Sequence, residues 1–259
     1  MNREHKLPLF RSCFAGIVRR GSCWLMLVGG AVFIWLGPLL TPWEENAPIL
    51  QPARAQAAWL YAWLMLLTWL PFQGAALGRR LSGDGQLEFF RARGKSAASL
   101  WMQAGGSVLV WALLVVLLAC FICLWPCLPG NPAEAWLWAA LVAQFTVLYL
   151  LLAVPLVLLA VAIATRASEV TAFIVPAGIL FLGLVIAPLI EPLMAANDLA
   201  WVRSAWLLVP HAHLADLTPR LVFKMGPLRG GDFLASSACL ALQGGALILL
   251  GRCVLHTRS

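Results

Sequence analysis

Three short constellations in this 259-residue chain carry residue types that can do chemistry. Gly94-Lys95-Ser96 matches the end of a phosphate-binding loop, where backbone N–H groups cradle phosphates and a lysine reaches them. The full pattern needs a glycine five residues before Gly94, and Phe89 stands there. It also needs a strand leading in, and an apolar run followed by a basic loop occupies that place. The segment reads as a basic turn at a membrane surface, so any ATP used by this protein is bound by another chain. The second constellation, PHAHLAD at 210–216, offers His211, His213 and Asp216 to a metal. No second ligand cluster or HExxH motif supports it, and histidines in a turn after Pro210 are the simpler account. The third is Cys120, Cys123 and Cys127, which helical spacing puts on one side; three thiols without a fourth ligand read as packing residues.

The elements that carry these residues are set by composition. With 62% hydrophobic and 11% charged residues, the chain lies far outside the roughly 45–50% apolar and 25% charged of a soluble domain. It reads as an all-α polytopic membrane protein forming a single transmembrane domain over residues 1–259. The net charge of +7 sits between apolar runs, where Lys and Arg act as topology signals, and a nucleic-acid partner is excluded on that ground. Most of the seven cysteines fall inside apolar runs, where Cys is a small hydrophobe, so they form no disulfide framework.

Six runs are long enough to cross a hydrocarbon core of about 30 Å. They are expected near 22–41, 57–77, 104–125, 135–164, 170–190 and 233–250. Ahead of them, Phe10, Cys13, Phe14, Ile17 and Val18 share one helical face over 7–20 with Arg11, Arg19 and Arg20 off it, the pattern of an interfacial amphipathic helix. The first run is membrane-length and ends in Gly37-Pro38 rather than at a small-residue cleavage site, so it is expected to be a retained span. Of the 18 Lys and Arg, 13 fall in the N-terminal tail, the second and fourth loops and the C-terminus, which places both termini in the cytoplasm. Trp24, Trp43, Trp59, Trp101, Trp125 and Trp136 are expected in an interfacial belt, and Trp35, Trp63, Trp69 and Trp111 deeper.

Prolines at 71, 155, 176 and 188 each remove an intrahelical donor. The fifth run, with Pro176, Gly178, Gly183 and Pro188 before Glu191, reads as broken, the form of helix that marks translocation paths in transporters as well as plain structural kinks. The outer loop 191–232 is too long for a turn and is expected to hold short re-entrant or interfacial helices, with Thr218 as N-cap before Pro219 and Asp232 capping the last span. Pro176, Pro188, Glu191, Pro210, His211, His213 and Asp216 are the candidate pathway or outer gate. Gly74 and Gly78 form a GxxxG suited to close helix approach, within the molecule or between copies. Acids and bases inside the spans are nearly absent, against a proton-coupled carrier, and no nucleophile, base and orienter converge, against an enzyme.

Taken together, the amphipathic first helix, six spans, a basic loop 78–103 after span two and a structured loop after span five resemble the permease subunits of ABC-2 type exporters. The closest local likeness is SGDGQLEFFRARGKSAASLWM within Leu81 to Met102, similar to the family's cytoplasmic coupling segment; LLVPHAHLADLT resembles the Pro-His element after its fifth span. The family often has a proline turn where this chain has Gly94-Lys95-Ser96. The resemblance implies a half-transporter in the inner (cytoplasmic) membrane of a bacterium. It implies a second permease copy or related permease beside it, and a separate ABC ATPase dimer that binds ATP and Mg, with no cofactor on this chain. Glu88, Phe89 and Phe90 would meet the ATPase, while Arg79, Arg80, Arg91, Arg93 and Lys95 would hold the loop to lipid phosphates. The alternative is a non-transporting membrane scaffold or assembly subunit, for which the basic loop is only an anchor; a secondary carrier is disfavoured by the lack of internal duplication. The substrate is left open.

Overall fold

A computed structural model describes residues 7–36, 47–186, 188–190, 206 and 209–255. Its elements are α1 (Pro8–Arg19), α2 (Ser22–Leu36), α3 (Ala47–Leu67), α4 (Trp69–Gly83), α5 (Gln86–Ala92), α6 (Ala97–Leu124), α7 (Pro132–Ala164), α8 (Glu169–Phe181), α9 (Thr218–Val222) and α10 (Gly230–Val254). A π-helical turn, Leu182–Ile186, extends α8, and a 3-10 turn, Ala212–Ala215, precedes α9. Among the described residues there is no strand.

Among the described residues, five helical stretches are long and apolar enough to cross a membrane, and six if the pair α1–α2, bent by 60°, counts as one broken span. That bend falls at Gly21, whose φ of +73° is open to glycine at no steric cost. It separates an amphipathic α1 from an apolar α2, as the change of pattern at 20–22 requires. Along α1, Leu9, Cys13 and Ile17 are buried, and Phe14 stacks on Trp111 of α6 with ring centroids 5.6 Å apart. The expected first span continues through 37–41, which lie outside the described residues, as does Trp43.

The second span differs from expectation. It runs Pro52–Gly83, with α3 and α4 meeting at Thr68. Pro71 therefore falls in the first turn of α4, where its missing N–H removes a bond that the break at Thr68 already interrupts. The Thr68 hydroxyl donates back to the Leu64 carbonyl at 2.6 Å.

Helix α7 is the centre, packed against α4, α6, α8 and α10. Its Phe145 stacks on Trp59 of α3 at 3.8 Å, and its Tyr149 hydroxyl donates to the Ala62 carbonyl at 2.8 Å. The Trp101 indole donates to the Leu158 carbonyl at 2.8 Å, and the Trp138 indole to that of Cys123 at 2.9 Å. Trp59 and Trp101 are thus core residues and not belt residues, contrary to expectation. A position near a helix end does not say which way the ring points. Trp24, Trp125 and Trp136 are exposed, as a belt requires.

The GxxxG glycines serve packing within the chain. Gly74 faces Val157, Ala160 and Val161, and Gly78 lies against the Val161 carbonyl and Ala164, so α4 seats directly on α7. Proline 155 leaves the Leu151 carbonyl without its helical N–H, and Gly244 of α10 closes on that place. A side chain at Gly244 would meet Pro155 Cγ at 3.2 Å and the Leu151 oxygen at 3.3 Å.

Candidate functional site: a basic hairpin and a histidine loop

The two candidate regions are separate: the hairpin closes one end of the bundle, and the histidine loop packs against the middles of α8 and α10. At one end α4 and α6 are bridged by α5, whose boundaries are set by glycine. Gly85 (φ +64°) starts it and Gly94 (φ +80°) ends it. The Lys95 N–H donates to the Phe90 carbonyl at 3.2 Å and the Gly94 N–H to that of Arg91 at 2.8 Å, the two bonds of a Schellman C-cap. Ser96 then N-caps α6, accepting from the Ser99 N–H at 3.2 Å. Gly94-Lys95-Ser96 is therefore a helix stop joined to a helix start. Its residue types follow from that, with no phosphate loop.

Consecutive residues on a helix point about 100° apart, so Glu88, Phe89 and Phe90 cannot form one flat surface. Glu88 occupies the first turn of α5, where the helix dipole favours a carboxylate. It folds towards Gly85, and its Oε2 is buried without a hydrogen-bond donor among the described residues. Phe90 packs against the core. Phe89 alone turns outward, 52% exposed, with the Arg93 guanidinium carbon 4.2 Å from its ring centroid. Arg79 and Arg80 are exposed on the last turn of α4, while Arg91 and Lys95 are half-buried.

The PHAHLAD segment packs against α7, α8 and α10 part-way along their lengths. Gly183 in the π turn permits this, since a side chain there would stand 2.7 Å from the Pro210 oxygen and 2.8 Å from Ala212 Cβ. The irregular fifth span expected from Pro176, Gly183 and Pro188 is thus realised as a π turn that receives the histidine loop. Pro188 is exposed, and Glu191 lies outside the described residues.

The His211 ring is fixed from two sides. Its Nδ1 lies 2.6 Å from the Val209 carbonyl and 3.1 Å from Gln243 Nε2, so it donates to the carbonyl in one tautomer and accepts from the amide in the other. Its backbone N–H donates to Gln243 Oε1 of α10 at 3.0 Å. Trp206, His211 and His213 form a triangle of tilted rings, with centroid distances of 4.7 Å between Trp206 and His211, 5.8 Å between Trp206 and His213 and 5.7 Å between the histidines. Asp216 does not face them as a ligand; its Oδ1 accepts from the Thr218 N–H at 3.0 Å and starts α9. The cap expected at Thr218 is therefore supplied by Asp216, with Thr218 itself helical. Among the described residues no group of three or more His, Cys, Asp or Glu is placed to hold a metal. The cysteines have contacts of their own: Cys120 pairs with the Thr146 hydroxyl at 3.0 Å, and burial pushes the Cys127 thiol up to about 11 despite the opposing charge of Arg54.

Beneath this loop lies an apolar cavity of about 230 Å³, lined by Pro155, Leu156, Leu180, Pro210 and Ala212, with Gln243 as its polar group. Two glutamines that the sequence reading passed over hold the region in place. Gln243 receives His211, and Gln144 of α7 clamps Leu228, donating to its carbonyl at 3.0 Å and accepting from its N–H at 2.7 Å. The available signal was a lone amide inside an apolar span, where an unpaired polar group is costly. Replacing Gln144 by Leu leaves both backbone groups of Leu228 unpaired. It is expected to destabilise the loop by about 1–3 kcal/mol, read as faster amide exchange over 223–229 with α6 and α7 unchanged.

Comparison with protein-family models, curated proteins and solved structures finds no match. What the helices define is a class, a multi-pass helical membrane protein.

Proposed function

We propose that this chain is the membrane-spanning permease subunit of an ABC-type exporter, working with a separate ATPase dimer that carries ATP and Mg. The observation that carries the reading is Phe89, a large apolar side chain held outward on a rigid helical hairpin at the basic end of the molecule. An apolar group so presented, outside the spans and capped on both sides, suits burial in a soluble partner. Arg93 covers one face of its ring. Glu88 and Phe90 brace the hairpin from within, and Arg79, Arg80, Arg91 and Lys95 sit where lipid phosphates would meet a cytoplasmic face.

In this reading both termini are cytoplasmic, and the membrane is the inner membrane of a bacterium. The histidine loop with Pro176, Pro188, Glu191, Pro210, His211, His213 and Asp216 forms the outer gate over the apolar cavity. The spans containing α8 and α10 are the least covered by the rest of the chain, at 18% and 11% of their apolar windows, and leave room for a second permease copy or a related one. No catalytic role falls on this chain.

Purification of the tagged full-length chain from its native membrane under mild detergent tests the reading. A polypeptide that binds ATP should coelute at one copy per permease and hydrolyse ATP in a vanadate-sensitive way. Elution of the chain with no ATP-binding subunit, from a host that expresses its neighbouring genes, would favour the scaffold alternative.

A further inference from the structure

Between α1 and the lower half of α4 the helices diverge and leave a cleft of about 450 Å³, within the roughly 300–1,000 Å³ of small-molecule sites. Three exposed arginines line it, Arg19 and Arg20 from the end of α1 and Arg80 from α4, against one acidic residue, Asp84. Its wall also carries Ser12 and Gln73; the latter is buried at 4% exposure, its amide donating to the Ser22 hydroxyl over a long 3.4 Å. Three arginines around one cleft with one acid leave an excess of positive charge, and a planar guanidinium suits phosphate oxygens. Beside the cleft, at the elbow between α1 and α2, Trp24 and Leu25 stand exposed, an apolar surface continuous with the spans.

We infer that this cleft binds the phosphate diester of an anionic lipid headgroup, with the arginines on the phosphate oxygens and the acyl chains along the exposed face of α2. Bound there, the lipid bridges α1 and α4, which otherwise make little direct contact, and fixes the amphipathic helix relative to the hairpin that carries Phe89. The inference rests on the reading that the basic end lies at the membrane surface, but it requires no ATPase.

The test uses the full chain in detergent, with any subunits it retains. Native mass spectrometry would titrate it with phosphatidylglycerol, with phosphatidylcholine and with inorganic phosphate. Phosphatidylglycerol is expected to be retained in preference to phosphatidylcholine, and inorganic phosphate at equal concentration should not displace it. One surface cation contributes about fivefold at an anionic headgroup, so combined R19Q, R20Q and R80Q should weaken retention about a hundredfold. Arg252→Gln, which removes a charge at the end of α10 away from the cleft, should leave retention unchanged. Equal loss in Arg252→Gln would reduce the effect to general charge attraction and overturn the site. Displacement by inorganic phosphate would give the cleft to a soluble phosphate and overturn the lipid assignment.

Discussion

Gly78→Val is expected to abolish accumulation of the folded chain. The added Cβ would press on the Val161 carbonyl and stand 2.8 Å from Ala164 Cβ and 3.1 Å from the Val161 carbonyl carbon. These are backbone atoms and a methyl group of α7, the helix on which the bundle is assembled, so no flexible side chain can swing aside. Overpacking of this kind costs about 1–3 kcal/mol where neighbours can relax and more where backbone is struck. A loss of more than about 3 kcal/mol is the expected result for valine, and an intermediate one for Gly78→Ala. Gly29→Ala is the control, because nothing lies within 4 Å of its Cβ position. In a helix interior that change should be neutral or stabilising by up to about 1 kcal/mol. Size-exclusion profiles of the solubilised variants, followed by thermal unfolding, would read the series; a monodisperse, fully stable Gly78→Val would refute the close seating of α4 on α7.

On the proposal that this chain is an exporter permease, Phe89→Asp is expected to have the largest functional effect, lowering ATP-driven activity of the proposed complex by tenfold or more while the spans stay folded. Phe89 makes an edge contact with Phe90 and a cation–π contact with Arg93, and otherwise faces outward. Its replacement leaves no cavity in the bundle. The contrast with Phe90→Asp is the informative part, since Phe90 packs on the core and a carboxylate there lacks a partner. That variant should lose stability together with activity. Arg93→Ala removes a contact that is worth about 0.5–1 kcal/mol at an exposed site and should lower activity only two- to fivefold.

The physical basis of what was legible in the sequence is clearest in α1 and α2. A period of 3.6 with arginines off the face, followed from Gly21 by an unpatterned apolar run, is enough to separate the two helices; the 60° bend between them comes from the left-handed φ of Gly21, which that pattern does not set. The fifth span was legible as irregular because Pro176, Gly183 and Pro188 each disturb the helical ladder. The form of the irregularity, a π turn receiving Pro210 and Ala212, depends on a neighbour 27 residues on and has no local signature. The break at Thr68 was missed because both sides are equally apolar. Trp59 and Trp101 were misplaced because lipid and the bundle interior favour the same side chain, and only packing tells them apart. In the candidate site, the residues Glu88, Phe89 and Phe90 could be named from their charge and apolarity. Which one faces outward required the phase of α5, fixed by the left-handed glycines at 85 and 94.

The most direct test of the central claim is photo-crosslinking from position 89 in native membranes, with a photoreactive residue placed in turn at 89, 90 and 223. Phe223 is 73% exposed, and its neighbours Lys224 and Gly226 lie with Pro129 and Glu134 of the turn between α6 and α7, at the end of the bundle opposite the hairpin. An exporter permease predicts one ATP-binding polypeptide captured from 89, little from 90, and none from 223. Capture of no ATP-binding polypeptide from 89, or equal capture from 223, would contradict it.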